Sequence, residues 1–215
     1  MSSLKNGSQV KLTVGQFYAA YAERLCMRLE GSARGLGRII REPTVNRPGL
    51  ALAGFYSYFA AKRIQVLGAA ELSYIRSMGG EALHTRLETL FRKNFPCLIV
   101  AREARVPAAI AEVAELTGTP VFRTSMITMK FINAATLALE TEFSPTSQEF
   151  GSMVDLMGIG TLIRGESGIG KSECVLGLIE RGYSLVSDDI TKFRLLEGQD
   201  LIGMSSQISR FHMEV

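Results

Sequence analysis

The chain has 215 residues, 47% of them apolar and 21% charged, which suits one large soluble globular domain or two small ones. The formal net charge of +3 is too small to point to nucleic acid or a membrane surface, and no apolar run approaches the roughly 18 residues needed to span a bilayer. Cys26, Cys97 and Cys174 are odd in number, far apart and without metal-ligand spacing, and the N-terminus lacks a signal-type apolar stretch, so a cytoplasmic protein without disulfides is expected.

Val10 to Val14 reads as a short strand, and Gln16 to Leu29 has helical spacing, with Phe17, Tyr21 and Leu25 on one face. Arginines gather here: Arg24, Arg28, Arg34, Arg38, Arg41 and Arg47. Arg24/Arg28 and Arg34/Arg38 are four apart, so each pair could share a helix face, either solvated or set against a phosphate or partner. Arg41 to Leu50 contains Pro43, Asn46, Pro48 and Gly49, which is loop chemistry, and a mixed apolar stretch follows from Ala51 to Leu67. Leu83 to Lys93 is expected to be helical, and Pro96 ends it. Cys97 to Val100 reads as a buried strand, and Pro107 opens a helix that runs through Thr117 and stops at Gly118. Val121–Phe122 is a short strand and Thr128 to Leu139 a further helix. Such alternation predicts a parallel α/β layer. The polar segment Phe143 to Gln148, with Pro145, sets a boundary between an N-terminal α/β domain over 1–145 and a second unit over 146–215, whose regular structure starts at about Gly151.

In the second unit, Ser152 to Leu156, Gly158-Ile159-Gly160 and Thr161 to Arg164 suggest a hairpin-like strand pair. It leads into Gly165-Glu166-Ser167-Gly168-Ile169-Gly170-Lys171-Ser172 and then an apolar-faced helix from Lys171 to Arg181. Strand, glycine loop and helix are the context a P-loop requires. Glycines at 165, 168 and 170 let backbone N–H groups turn inward toward phosphates, above a helix N-terminus worth about half a positive charge. Lys171 would reach the β- and γ-phosphates of a nucleotide, and the Ser172 hydroxyl would ligate Mg²⁺. The bland alternative is a chance match in a glycine-bearing turn. Tyr183 to Ser187 reads as a strand ending in Asp188-Asp189, where alternation lets one carboxylate face the reaction and accept a proton; solvated aspartates capping a turn are the alternative. His84 reads as a surface or packing residue, His212 has no assigned role, Glu214 is a candidate magnesium group, and the nine methionines read as core filling.

Gly165 to Ser172 followed by Glu173, with Val186-Ser187-Asp188-Asp189 shortly after, resembles HPr kinase/phosphorylase, a family of bacterial serine kinases acting on the sugar-phosphotransferase carrier HPr. Asn46-Arg47-Pro48-Gly49-Leu50, Gly54-Phe55, Arg63-Ile64-Gln65, Gly68 and Glu71 are similar to its N-terminal signature, and Pro96 to Val100 and Thr119 to Val121 sit where it has strands. The resemblance covers the chain from about Leu36. It implies a parallel α/β domain followed by a P-loop kinase domain like that of phosphoenolpyruvate carboxykinase, incomplete here. It further implies ATP and Mg²⁺ as ligands, HPr as partner, no nucleic acid or membrane, and a hexameric homo-oligomer. By position it makes Lys171 and Asp189 catalytic and assigns Mg²⁺ to Ser172 and Glu214, with Asp189 returning its proton when inorganic phosphate attacks phosphoserine and pyrophosphate forms.

Two departures bear on this. The family has histidine beside the catalytic aspartate where this chain has Phe150, which cannot exchange a proton and would instead shield Asp189 from water. The chain also stops at Val215, inside the next signature, and the family continues for about a hundred residues, so the second domain is expected to be poorly stable alone. A nucleotide-binding regulator that has lost efficient transfer is the competing class, and an unrelated P-loop NTPase or small-molecule kinase is the third.

Overall fold

The computed structural model describes residues 11–196 and 200–205. The chain divides between Phe143 and Ser144 into two compact units. In the first, β1 (Leu12–Thr13) runs straight into α1 (Val14–Tyr21). The helix start is set by reciprocal capping: Gln16 N donates to Thr13 Oγ1 at 3.1 Å, and Thr13 N donates to Gln16 Oε1 at 2.9 Å. There follow β2 (Met27–Glu30), β3 (Ile39–Ile40), β4 (Val45–Asn46), α2 (Gly49–Leu52), β5 (Ile64–Leu67), α3 (Ala69–Ser77) and α4 (Gly80–Phe91). Then come β6 (Leu98–Val100), α5 (Ala108–Thr117), β7 (Val121–Thr124) and α6 (Thr128–Phe143). Among the described residues they build a five-stranded sheet in the order β2-β7-β6-β5-β4. Strands β4 to β7 are parallel, and β2 pairs antiparallel with β7 at one edge.

Strand alternation sorts the core onto both faces of this sheet. Ile64, Val66, Ile99 and Phe122 pack with Phe17 of α1 and Phe131 and Leu139 of α6. Leu67, Leu98, Val100 and Val121 pack with Leu87, Leu90 and Phe91 of α4 and Ile110 and Val113 of α5. Each such fully buried side chain contributes about 1.5–3 kcal/mol.

The helix expected over Gln16–Leu29 ends at Tyr21, because Met27 to Glu30 pair with Thr124 to Val121 and Cys26 turns the chain with φ +48°. Ladder pairing and burial of Met27 override helical spacing. The expected helical arginine faces therefore do not exist. Arg28 lies in a strand, and Arg38, outside any helix, donates to the carbonyls of Phe95 at 2.7 Å and Thr117 at 2.8 Å. Helix α3 was not legible, and α6 runs four residues beyond the expected Leu139. The polar segment around Pro145, taken as the domain boundary, includes the start of a strand at Thr146, ahead of the Gly151 start expected for regular structure in the second unit.

The second unit contains β8 (Thr146–Phe150), β9 (Ser152–Leu156), β10 (Ile159–Ile163), α7 (Lys171–Ile179), β11 (Ser184–Ser187), β12 (Ile190–Leu196) and β13 (Asp200–Ser205). Its described strands form two small sheets, β10-β9-β11 and β13-β12-β8, and every ladder in them is antiparallel. The chain passes from one sheet to the other at Gly151, between β8 and β9, and back at Asp188–Asp189, between β11 and β12.

Candidate active site

Strands β9 and β10 form the hairpin anticipated ahead of the glycine loop, with Ile159 opposite Leu156 and Ile163 opposite Ser152. Past Ile163 the chain turns at the surface and enters α7 at Lys171. Gly168 and Gly170 have φ +82° and +94°, a conformation that any Cβ would strain. Among the described residues, the backbone N–H groups of 166–170 donate to no protein acceptor. These donors, the first turn of α7 and its macrodipole form a nest suited to polyphosphate. Lys171 is half-buried, and its Nζ donates to the Glu166 carbonyl at 2.6 Å, which holds the ammonium against the loop. Ser172 is exposed in the first turn of α7. Gly165, Glu166, Ser167, Gly168 and Ile169 are exposed as well, so most of the loop is open to solvent.

The acidic pair leaves β11 at the same sheet edge. Strands β10 and β11 both run antiparallel to β9, which lies between them, so they run parallel to each other. Their carboxyl ends meet the beginning of β9, with Ile163 opposite Ser152 and Ser187 opposite Met153. Ligands in open sheets gather at such carboxyl ends. Asp188 Oδ1 accepts from the Ser152 hydroxyl at 2.7 Å and from Asp189 N at 3.0 Å. Asp189 has φ +58° and is exposed, and among the described residues its carboxylate accepts no hydrogen bond.

Gly151 joins the two halves of this edge. Its N–H donates to the Asp189 carbonyl at 2.8 Å, and its own carbonyl accepts from Thr191 Oγ1 at 2.9 Å. The buried hydroxyls of Thr191 and Ser187 lie 2.6 Å apart. A Cβ at Gly151 would stand 2.7 Å from the Ile163 carbonyl, at the root of the glycine loop. Phe150 pairs in register with Ile190, and its ring is 77% exposed. It therefore does not provide the shielding of Asp189 expected from the sequence.

Glu214 and His212 lie outside the described residues. His84, on α4 of the first unit, sits 3.3 Å from Glu88, the surface role expected for it. Ser152, Gly151 and Thr191 were not picked out as site residues, since their contacts depend on where the chain changes sheets and no local spacing encodes that.

In the first unit the polar signature residues form two hydrogen-bonded groups. Arg47 makes a bidentate contact to Glu71 at 3.0 and 2.9 Å, and Glu71 also accepts from Gly68 N at 2.9 Å. Asn46 donates to the fully buried Gln65 at 2.7 Å, and Gln65 donates to the carbonyls of Ala60 and Arg63. Burial acts on the Glu71 carboxyl most strongly and raises its pKa. The Arg47 hydrogen bonds, the backbone N–H donors and the Arg47 charge together outweigh it and hold Glu71 below the usual carboxylate range.

A strand, a loop with left-handed glycines, and a helix carrying lysine and serine in its first turn define a P-loop protein. The family model described as HPr Serine kinase N terminus matches residues 12–139, and the HPr Serine kinase C-terminal domain matches 141–215. The chain belongs to the HPr serine kinase family. It is 44% identical to an HPr kinase/phosphorylase of Clostridium perfringens (strain SM101 / Type A), over 80% of this chain and 55% of that protein. It is 36% identical to that of Exiguobacterium sp. (strain ATCC BAA-1283 / AT1b), over 92% and 63%. The solved HPr(Ser) kinase/phosphatase from Coxiella burnetii matches at 40% identity over 26% of this chain and 34% of its own, with a TM-score of 0.25, too short an overlap to speak to the fold. The chain thus spans about 55–63% of the length of the curated relatives it matches.

Proposed function

We propose that the protein is an ATP-dependent serine kinase of the phosphocarrier HPr, and that it also runs the reverse phosphorolysis of phosphoserine-HPr. The observation that carries this reading is the shared sheet edge. The glycine loop leaves β10, and Asp188–Asp189 leaves β11, at the same end of the sheet, beside the start of β9. Family membership supports it.

On this reading, residues 165–172 hold the phosphates of ATP through backbone amides, and Lys171 exchanges the Glu166 carbonyl for phosphate oxygens. The Ser172 hydroxyl and the Glu214 carboxylate are hard oxygen donors of the type magnesium takes, and the ion supplies neutralisation of phosphate charge. Asp189 accepts the proton of the substrate serine as its Oγ bonds to the γ-phosphorus. The bond to the β,γ-bridging oxygen breaks, and ADP departs. In reverse, inorganic phosphate attacks the phosphorus of phosphoserine, the serine oxygen leaves with a proton from Asp189, and pyrophosphate forms. Residues 1–145 then make an N-terminal domain and 146–215 the start of the catalytic one. The protein works in the cytoplasm as a homo-oligomer, hexameric by family resemblance, with no nucleic-acid or membrane partner. Among the described residues no helix is long and apolar enough to cross a membrane.

The test is incubation of the full-length protein with HPr and Mg-ATP, followed by phosphoserine detection. Lys171→Ala is expected to abolish transfer, at least about a hundredfold. Asp189→Ala is expected to abolish transfer while leaving nucleotide affinity intact. Transfer retained by Asp189→Ala would remove that residue from the reaction, and a wild type without transfer would end the kinase reading.

A further inference from the structure

We infer that Ser152 is a positioning residue of this site: its hydroxyl ties down Asp188 and so leaves Asp189 as the carboxylate available to the substrate proton. The inference rests on the kinase reading above. Two carboxylates one peptide apart, each free to rotate about its side-chain bonds, would compete for one proton-accepting position. The structure separates them. Asp188 Oδ1 takes two donors, Ser152 Oγ at 2.7 Å and Asp189 N at 3.0 Å. The second donor also braces the backbone of Asp189, whose φ of +58° sends its side chain on a course no extended residue follows.

The location of Ser152 gives the hydroxyl its leverage. It is buried, and its backbone lies opposite Ile163, the last strand residue before the glycine loop. The Ser152–Asp188 bond therefore ties the acidic turn to the strand pair that launches the phosphate loop. Its neighbours on β9, Met153 and Val154, are buried and apolar, so the hydroxyl is the polar side chain that this entry into the sheet offers to Asp188.

Valine and threonine share a shape and differ by a methyl in place of a hydroxyl, so Ser152→Val and Ser152→Thr isolate the bond; Ser152→Ala repeats the loss without added bulk. In the full-length protein with HPr and Mg-ATP, Ser152→Val and Ser152→Ala are expected to lower kcat about tenfold, the loss typical of a slightly misplaced group. Nucleotide Kd and the KM for HPr should stay within about twofold, and Ser152→Thr should return kcat to within about threefold of wild type. The Asp189 amide should also exchange with solvent faster in Ser152→Ala than in wild type, a readout independent of activity. Unchanged kcat in both Ser152→Val and Ser152→Ala, or equal losses in Ser152→Val and Ser152→Thr, would overturn the assignment. An inactive wild type would sink the kinase reading and this role together, whereas an active wild type with silent Ser152 variants sinks the Ser152 role alone.

Discussion

Asp188 and Asp189 carry the same carboxylate on neighbouring residues, yet one is held by two donors and the other by none among the described residues. Strand alternation already implied that a single member of the pair faces the reaction. It could not say which residue holds the other in place, because Ser152 lies 36 residues away in sequence. The cysteines show the same division. Their lack of pairing was legible from spacing, but their reactivity was not. Cys97 is fully buried, and burial pushes its thiol far above the usual range, which suppresses the nucleophilic thiolate. Cys26 and Cys174 are exposed. Cys174 follows Lys171 by three residues on α7 and so shares its face. A thiol-alkylating reagent is expected to modify Cys26 and Cys174 but not Cys97, and Mg-ATP to slow labelling at Cys174 alone. Mass spectrometry of the labelled peptides reads this directly, and equal protection of Cys26 would contradict it.

Helices and strands were readable where a local device ends them. Pro107 and the left-handed Gly118 bracket α5, and the glycine loop precedes α7. They were unreadable where distant pairing decides, as in β2, which takes its register from β7. Loop chemistry around Asn46 to Gly49 gave no hint that Arg47 reaches Glu71 beside the start of α3. That contact has a pH signature. A glutamate whose folded pKa lies below its unfolded value, ordinarily about 4.3, stabilises the fold above that value and loses the contribution as pH falls through the folded pKa. The first unit is therefore expected to lose stability as the medium is acidified below about pH 4.3, and Glu71→Gln to flatten that slope. At neutral pH Glu71→Gln should cost about 2 kcal/mol, below the usual figure for breaking a buried pair because the Arg47 side chain is 41% exposed and can be solvated. Urea titrations at pH 7 and in steps from pH 5 down to about pH 3 measure both effects.

Across the whole molecule the two units differ in how much they bury. Both large apolar clusters belong to residues 12–143, and in the second unit the described buried apolar side chains are Met153, Val154 and Val175. Meanwhile Met157, Ile159, Ile169 and Leu201 are all at least 63% exposed. A fragment ending at Phe143 is expected to melt cooperatively on its own, and a fragment of 146–215 is not. Circular dichroism on heating distinguishes the two, and a sharp transition in the shorter piece would refute the contrast. The double passage between the small sheets has a mechanical corollary. Like a thread stitched twice through one eyelet, the chain at Gly151 and Asp189 ties the alignment of β8 against β12 to the placement of the acid. A one-residue slip of β8, roughly 3.4 Å, would drag the Gly151 amide off its partner and carry the Asp189 carboxylate out of line with the glycine loop. Residues such as Phe193 and Ser147, paired well down these strands, therefore help to hold Asp189 and the glycine loop in register without approaching either.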